Sequence, residues 1–174
     1  MADNEGMVIL GVDPGLRLTG YAGLKLHLDK PSADPALLEA GVFRLNPNSS
    51  IADRLVELER DLTDVVDRLS PTHACIEKLF SHYSHPTTAI TMGHARGVIL
   101  LVLRRAGVHI DELAATEVKK SVTGGGHASK RQMQLAVQTQ MGLAEMPSPP
   151  DVADAIAIAL TGARRMDSPT SARV

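Results

Sequence analysis

The sequence predicts an α/β fold with five strands and five helices. Three observations predict it: an apolar run at residues 7–12 that ends in a tight turn, apolar residues at helical spacing over residues 51–69, and three helical segments after the last predicted strand. A short continuous apolar run is typical of a strand that is buried on both faces. The predicted order is βββαβαβααα along 174 residues, a length that suits a single domain.

The first three predicted strands lie in the first part of the chain. The run at residues 7–12 is followed by Asp13-Pro14-Gly15, a sequence that favours a turn. Residues 18–28 and 37–45 predict the second and third strands. We expect these two strands to pair as an antiparallel hairpin with a long connection.

A long amphipathic helix is predicted over residues 51–69. Ser50 precedes it as a helix cap, and Ser70-Pro71 ends it. One face carries apolar residues at spacings of three and four, which is typical of a helix that packs on a core. These residues are Ile51, Leu55, Leu58, Leu62, Val65, Val66 and Leu69.

The rest of the chain alternates once more between strand and helix and then becomes helical. Strands are predicted at residues 73–77 and 108–113, with a helix at residues 87–106 between them. Gly93 and Gly97 lie inside that helix, where each glycine costs about 1 kcal/mol relative to alanine. We therefore expect the helix to pack closely at these glycines against the sheet or against another helix. Three helices follow, at residues 116–122, 129–141 and 151–165.

Composition restricts the classes of protein. The single cysteine, Cys75, excludes an internal disulfide and fits a reducing compartment. The longest uncharged apolar run, residues 98–103, is too short to cross a bilayer, so we expect a cytoplasmic protein without a membrane partner. The net charge is −2, yet residues 1–77 hold 7 Lys+Arg and 13 Asp+Glu while residues 78–131 hold 8 and 3. The basic middle segment predicts a local electropositive face.

Four acids fall at the ends of predicted elements. Asp13 ends the first strand, Glu77 ends the fourth, and Asp151 and Asp154 open the last helix on one of its faces. Converging carboxylates repel one another unless cations lie between them, and oxygen ligands suit Mg²⁺ or Mn²⁺. Two such ions would clamp the attacking and leaving oxygens of a phosphodiester.

Each acid also has a structural explanation when it is taken alone. Asp13 stands before a proline in an ordinary turn sequence, and Glu77 is able to reach water from a strand end. Asp151 and Asp154 lie in a first helical turn, where the helix dipole favours negative charge by about 0.3–1 kcal/mol. Only their joint arrangement indicates a metal site.

Taken together, the motifs resemble one family, the RuvC-type crossover junction endodeoxyribonucleases of the ribonuclease H-like superfamily. They occur in the order of that family and span nearly the whole chain, from about residue 7 to residue 165. The motifs are Ile9-Leu-Gly-Val-Asp-Pro-Gly15 with Thr19-Gly20-Tyr21, Ile76-Glu77-Lys78-Leu79-Phe80, Gly93-His94-Ala95-Arg96-Gly97, Val118-Lys119 with a glycine-rich turn and Lys130, and Asp151-Val-Ala-Asp154-Ala155.

The resemblance implies a ribonuclease H-like fold with a mixed five-stranded sheet flanked by helices. It implies a homodimer that resolves Holliday junctions, which are four-way DNA junctions, by paired symmetric nicks that leave 5′-phosphates. Asp13, Glu77, Asp151 and Asp154 would bind two Mg²⁺ ions, for which Mn²⁺ would substitute. The family typically works beside a branch-migration helicase complex in recombination and repair.

The resemblance also implies DNA-binding residues. Lys119 and Lys130 fall where the family has basic residues near the site, and Phe80 falls where an aromatic side chain stacks on a base. Tyr83 is a further candidate for stacking. Lys120 and Arg131, together with Lys119 and Lys130, flank the glycine run at residues 124–126 inside the basic segment, which fits a surface that binds the DNA backbone.

Several alternatives remain open from the sequence. The glycine run also fits a loop or a helix C-cap, and Phe80 also fits a core position. His82 and His85 are either surface residues or metal ligands, and His127 is a candidate for a phosphate contact. A junction-binding protein that does not cut, and a phosphotransferase of the sugar-kinase class, are the competing functions. We expect residues 1–174 to form one nuclease domain, with residues 1–6 and 167–174 flexible, and Tyr21 and Phe43 in the core.

Overall fold

A mixed five-stranded sheet forms the centre of the computed structural model, which describes residues 6–27, 34–79 and 86–167. The strand order is β3-β2-β1-β4-β5. β1 pairs antiparallel with β2 and parallel with β4, β2 pairs antiparallel with β3, and β4 pairs parallel with β5. The strands are β1 Met7–Asp13, β2 Leu18–Leu26, β3 Ala36–Arg44, β4 His73–Glu77 and β5 His109–Leu113. The ribonuclease H-like α/β fold with an antiparallel β2–β3 hairpin is confirmed.

Helices cover both faces of the sheet. α1 and α2 pack on one face around Leu10, Val12 and Ile76, and α5 packs on the other face with α3 and α4 beside it. The helices are α1 Ile51–Leu69, α2 Pro86–Arg105, α3 Ala115–Thr123, α4 Lys130–Gln140 and α5 Pro150–Asp167. Among the described residues, no helix has the length and apolar character required to span a membrane.

The caps of α1 and α4 follow from their sequences. The Ser50 side chain accepts a hydrogen bond from the Asp53 backbone N–H, and Ser70 ends α1 in the left-handed conformation. Ser129 and Gln132 form a reciprocal capping box at the start of α4. These caps satisfy backbone groups that have no partner inside the helix, and they place the first residue of each helix.

α5 lies in backbone contact with the sheet. A Cβ atom on Gly11 of β1 would stand 2.6 Å from the Ala159 nitrogen, and a Cβ on Gly20 of β2 would overlap the Asp151 carbonyl oxygen. The glycines therefore allow α5 to approach more closely than any side chain would permit. Residues 155–160 of the helix are all buried, so α5 is the interior helix of the protein.

The expectation for the glycines of α2 is wrong. Gly93 and Gly97 face open space, because a Cβ atom on either glycine would meet no atom within 4 Å among the described residues, whereas Ala95 is fully buried. The apolar side of α2 that packs on the sheet is the opposite side, which carries Ile99 and Leu103. Close packing within the described part of the chain therefore does not explain the two glycines.

Other expectations concern the ends of the chain and the β2–β3 connection. Gly6 precedes β1, and Asp167 is the last residue of α5. Residues 1–5, 28–33 and 168–174 lie outside the described residues, as does the predicted flexibility of both termini. Of the two aromatic residues expected in the core, Phe43 is buried, while Tyr21 is half-buried and stacks on Phe43 with ring centroids 4.7 Å apart.

Candidate active site

Three of the four predicted acids line one cavity at the carboxyl ends of β1 and β4. Val12 and Ile76 are the last paired residues of these parallel strands, so Asp13 and Glu77 follow them side by side. Asp154, in the second turn of α5, completes the acidic wall. The cavity has a volume of about 180 Å³. Its lining residues are Asp13, Glu77, Ala115, Lys119, Ala128, Lys130, Met133 and Asp154.

The strand pleat explains why Asp13 and Glu77 face the same side. Val12 and Ile76 point toward α1 and α2, so the residue after each of them points toward α5. α5 approaches that face because Gly11 and Gly20 present no side chain to it. The closeness of Asp154 to the two strand ends therefore depends on these two glycines.

Asp151 lies beside the cavity and not in its wall. It is in the first turn of α5, and its backbone carbonyl passes over Gly20. Its charge still contributes to raising the pKa of both Asp13 and Asp154. The structure thus brings all four acids into one electrostatic group, with three of them around the cavity.

Burial, together with repulsion from Asp154, Glu77 and Asp151, raises the pKa of Asp13 to about 8. Lys130 opposes the shift without cancelling it. A carboxyl group with this pKa is largely protonated at neutral pH unless a cation is bound next to it. The site is therefore built for more positive charge than the protein itself supplies.

Glu77 and Asp154 are shifted in the same direction. Burial raises the pKa of Glu77 and the nearby Asp154 raises it further, while Lys119 lowers it. Burial raises the pKa of Asp154 also, and Lys130 and Lys119 oppose Asp151 there. Two lysines thus partly neutralise a group of four acids.

The donor set fits hard divalent cations. Carboxylate oxygens that share a partly buried cavity are typical ligands of Mg²⁺ and Mn²⁺, and a bound dication would remove the repulsion that raises these pKa values. In the described part of the chain, no three His, Cys, Asp or Glu side chains already stand as closely as ligands of a single ion. Asp13, Glu77 and Asp154 would therefore draw together around an ion.

The four predicted basic residues separate into two pairs. Lys119 of α3 and Lys130 of α4 line the cavity, whereas Lys120 and Arg131 are exposed and outside its wall. Lys120 directly follows Lys119 on α3, and Arg131 directly follows Lys130 on α4. Because consecutive helix residues point about 100° apart, only the first residue of each pair faces the acids. Lys130 is the first residue of α4, where the helix dipole disfavours a cation, so the nearby carboxylates account for its position better than helix stability does.

The glycine run and His127 border a second cavity. Gly124 ends α3 in the left-handed conformation with φ of 78°, so the C-cap interpretation holds at that glycine. His127 and Gly125 line an open cavity of about 490 Å³ between α3 and α4, which does not include the acids. Ala128 lines both cavities, so they are neighbours.

Some residues of the site gave no signal in the sequence. Ala115, Ala128 and Met133 line the acidic cavity but are apolar, and only the packing of α3 and α4 reveals them. The remaining candidates, Phe80, Tyr83, His82 and His85, lie outside the described residues.

The family model and two similar relatives identify the same family. The family model described as crossover junction endodeoxyribonuclease RuvC matches residues 9–162. A RuvC of Rhodopirellula baltica is 46% identical over 154 residues, covering 88% of this chain and 84% of the relative. A RuvC of Heliobacterium modesticaldum is 42% identical over 154 residues, covering 88% and 92%.

The similarity extends to a solved structure with DNA. Thermus thermophilus RuvC in complex with a Holliday junction substrate is 30% identical, with a TM-score of 0.84 that covers 92% of this chain and 95% of that chain. The sheet order and the acids at the ends of β1 and β4 define a protein of the ribonuclease H-like class. Within that class, the chain belongs to the RuvC family of crossover junction endodeoxyribonucleases.

Proposed function

We propose that this protein resolves Holliday junctions by hydrolysing one phosphodiester in each of two symmetric strands, in recombination and repair in the cytoplasm. The observation that carries the proposal is the cavity in which Asp13, Glu77 and Asp154 face Lys119 and Lys130. The family match supports the same function. The whole chain of 174 residues would act as one nuclease domain.

The proposed cofactor is a pair of Mg²⁺ ions, for which Mn²⁺ substitutes. Asp13, Glu77, Asp151 and Asp154 are the proposed ligands, supported by their oxygen donors and by the raised pKa values of Asp13, Glu77 and Asp154. When bound, the ions would polarise the scissile phosphate and lower the pKa of the attacking water. Asp13 must lose its proton to become a ligand.

Lys119 and Lys130 supply positive charge both to the acids of the cavity and to DNA that approaches it. Lys119 and Lys130 line the cavity next to the acids, so a phosphate that enters would contact ammonium groups on its outer side. Lys120 and Arg131, exposed and farther out, would contact the backbone of the same DNA arm. Phe80 and Tyr83 remain proposed stacking residues, by resemblance to the family.

A homodimer would place two such sites on one junction, and α2 offers a surface for it. Ile90 is 61% exposed and Leu101 is 48% exposed, and Gly93 and Gly97 lie between them on the same helix face. An apolar face with two glycines allows the backbones of two helices to approach closely. The face supports dimerisation through α2. A branch-migration helicase complex is the further proposed partner.

The proposed function is tested with a synthetic four-way junction and varied metal. We expect the wild-type protein with Mg²⁺ to nick opposing strands symmetrically and to leave 5′-phosphates. Asp13→Asn should bind the junction with similar affinity and cut it at least a hundredfold more slowly, because the variant loses a ligand at the centre of the site.

The matched control is Asp61→Asn, which changes a carboxylate on α1, on the opposite face of the sheet from α5 and outside the cavity wall. It should cut like the wild type. If the wild-type protein binds the junction but forms no product with either Mg²⁺ or Mn²⁺, the protein is a junction-binding module and the proposal is wrong.

A further inference from the structure

Two histidines and an aspartate lie at the other end of β4 and β5. His73 of β4 is the direct register partner of His109 of β5, and Asp111 is two residues beyond His109. Residues two apart on a strand share a face, so the three side chains lie on the α5 side of the sheet. His73 and Glu77 are four residues apart along β4, a distance of about 13 Å. The group is therefore distinct from the acidic cavity.

The spacing of the rings fits two ligands of one ion. The ring centroids of His73 and His109 are 5.2 Å apart, with 61° between the ring planes. Two imidazoles that bind one tetrahedral Zn²⁺ at about 2.0–2.1 Å have centroids about 5 Å apart. His109 Nε2 and Asp111 Oδ2 are 3.8 Å apart. That is too long for a hydrogen bond, so Asp111 places negative charge beside His109 without occupying its Nε2.

Thr72 contacts Nδ1 of His73, so Nε2 is the nitrogen that would bind an ion. The Thr72 hydroxyl lies 3.4 Å from the Val8 carbonyl oxygen, to which it donates, and 3.0 Å from His73 Nδ1. In the tautomer in which the hydroxyl accepts from Nδ1–H, Nε2 of His73 carries the lone pair that a metal ion requires. Such a bond to the second nitrogen is what orients metal-binding histidines.

We propose that His73 and His109 bind one transition-metal dication of the Zn²⁺ class, with Asp111 as the adjacent charge partner and water completing the shell. Imidazole nitrogen suits Zn²⁺, Ni²⁺ and Cu²⁺ and does not suit Mg²⁺. The His109 side chain is 63% exposed and that of Asp111 is 44% exposed, so the ion has free access. The two imidazoles are the protein ligands of the proposed site. Among the described residues, no three His, Cys, Asp or Glu side chains are already arranged around one ion.

The ion would join the first residues of two neighbouring strands. β5 is one of the two edge strands of the described sheet and pairs only with β4, so an ion bound by His73 and His109 would hold this edge in place. A ligand that binds only the folded state stabilises it in proportion to the logarithm of its concentration above Kd. The thermal midpoint of unfolding is therefore expected to rise with Zn²⁺.

The test is a calorimetric titration with Zn²⁺ of the full chain carrying Asp13→Asn and Asp154→Asn, which weakens binding in the acidic cavity. We expect about one ion per chain and a higher thermal midpoint, with no such effect of Mg²⁺ at the same concentration. Adding His109→Gln or His73→Gln should raise Kd for Zn²⁺ at least tenfold.

His94→Gln is the matched control, since His94 is an exposed histidine on α2. It should leave Kd unchanged. Circular dichroism without metal checks that each variant is folded. If a histidine variant does not fold, Asp111→Asn replaces it in the test and should raise Kd for Zn²⁺ severalfold. Equal Kd values in the His109→Gln, His73→Gln and parent proteins would overturn the proposal, as would a loss of binding on His94→Gln.

Discussion

Asp13 combines the two conditions that most disfavour a carboxylate, namely burial and the presence of other acids. Together they raise its pKa to about 8, well above the ordinary aspartate value of 3.8. This electrostatic repulsion is unavoidable in a cation-binding cavity, because its acids must lie close together before the cation binds. The same acids should therefore make the metal-free protein sensitive to pH.

We expect the metal-free protein to lose stability as pH rises from about 4 to about 8. The folded state keeps the Asp13 proton up to a pKa of about 8, whereas the unfolded chain releases it near 3.8. The stabilising contribution is thus complete at low pH and is lost as pH rises through 8. The loss should be of the order of a few kcal/mol.

Urea unfolding with a chelator across this pH range measures the effect. Asp13→Asn should flatten the dependence, and Mg²⁺ added at pH 9 should restore much of the wild-type stability. If the free energy of unfolding depends on pH equally in the wild type and in Asp13→Asn, Asp13 is not the cause of the pH dependence.

At the scale of elements, the approach of α5 to β1 and β2 decides the geometry of the site. We expect Gly20→Ala to cost about 1–3 kcal/mol, because its Cβ would overlap the Asp151 carbonyl and move the start of α5. Cleavage should fall more than stability does, since Asp151 and Asp154 move with the helix. Gly125→Ala, which has open space around it, is the control and should change stability by less than about 0.5 kcal/mol.

α2 provides a second prediction at this scale. We expect Leu101→Glu to convert a dimer into a folded monomer, because it places a charge in the proposed helix–helix contact. Val56→Glu is the matched control, since Val56 is an exposed apolar residue on α1 with 67% exposure. Analytical ultracentrifugation measures both variants. A dimer that is equally stable in both variants would place the interface elsewhere.

For the whole molecule, the distribution of charge matters more than its sum of −2. Binding to a junction should weaken steeply with salt, because Lys119 and Lys130 would release counterions from phosphates. We expect Lys130→Gln to reduce the slope of log K against log salt by about 1, and Arg60→Gln, an exposed residue of α1, to leave it unchanged. Fluorescence anisotropy over a salt series measures this, and an unchanged slope in Lys130→Gln would remove that residue from the interface.

The sequence was sufficient for the elements and for most of the acidic site. Apolar periodicity placed α1 at its observed bounds, and the second strand begins at the residue where it was predicted to begin. Asp13 and Glu77 were found because strand ends are visible in the sequence. Met133 was not found, since an apolar lining residue has no chemical signature. The adjacency of His73 and His109 required the register of β4 and β5, which no local pattern encodes.

The position of α5 has a consequence for how the protein is made. Its residues 150–167 are the last described part of the chain to be synthesised, yet they cover β1 and β2, which are among the first. Until they leave the ribosome, one face of the sheet lacks its main cover and the cavity lacks Asp154. Folding of the core and assembly of the acidic site are therefore completed in the same late step, and a nascent chain that stops before α5 exposes an apolar surface instead of a partly active nuclease.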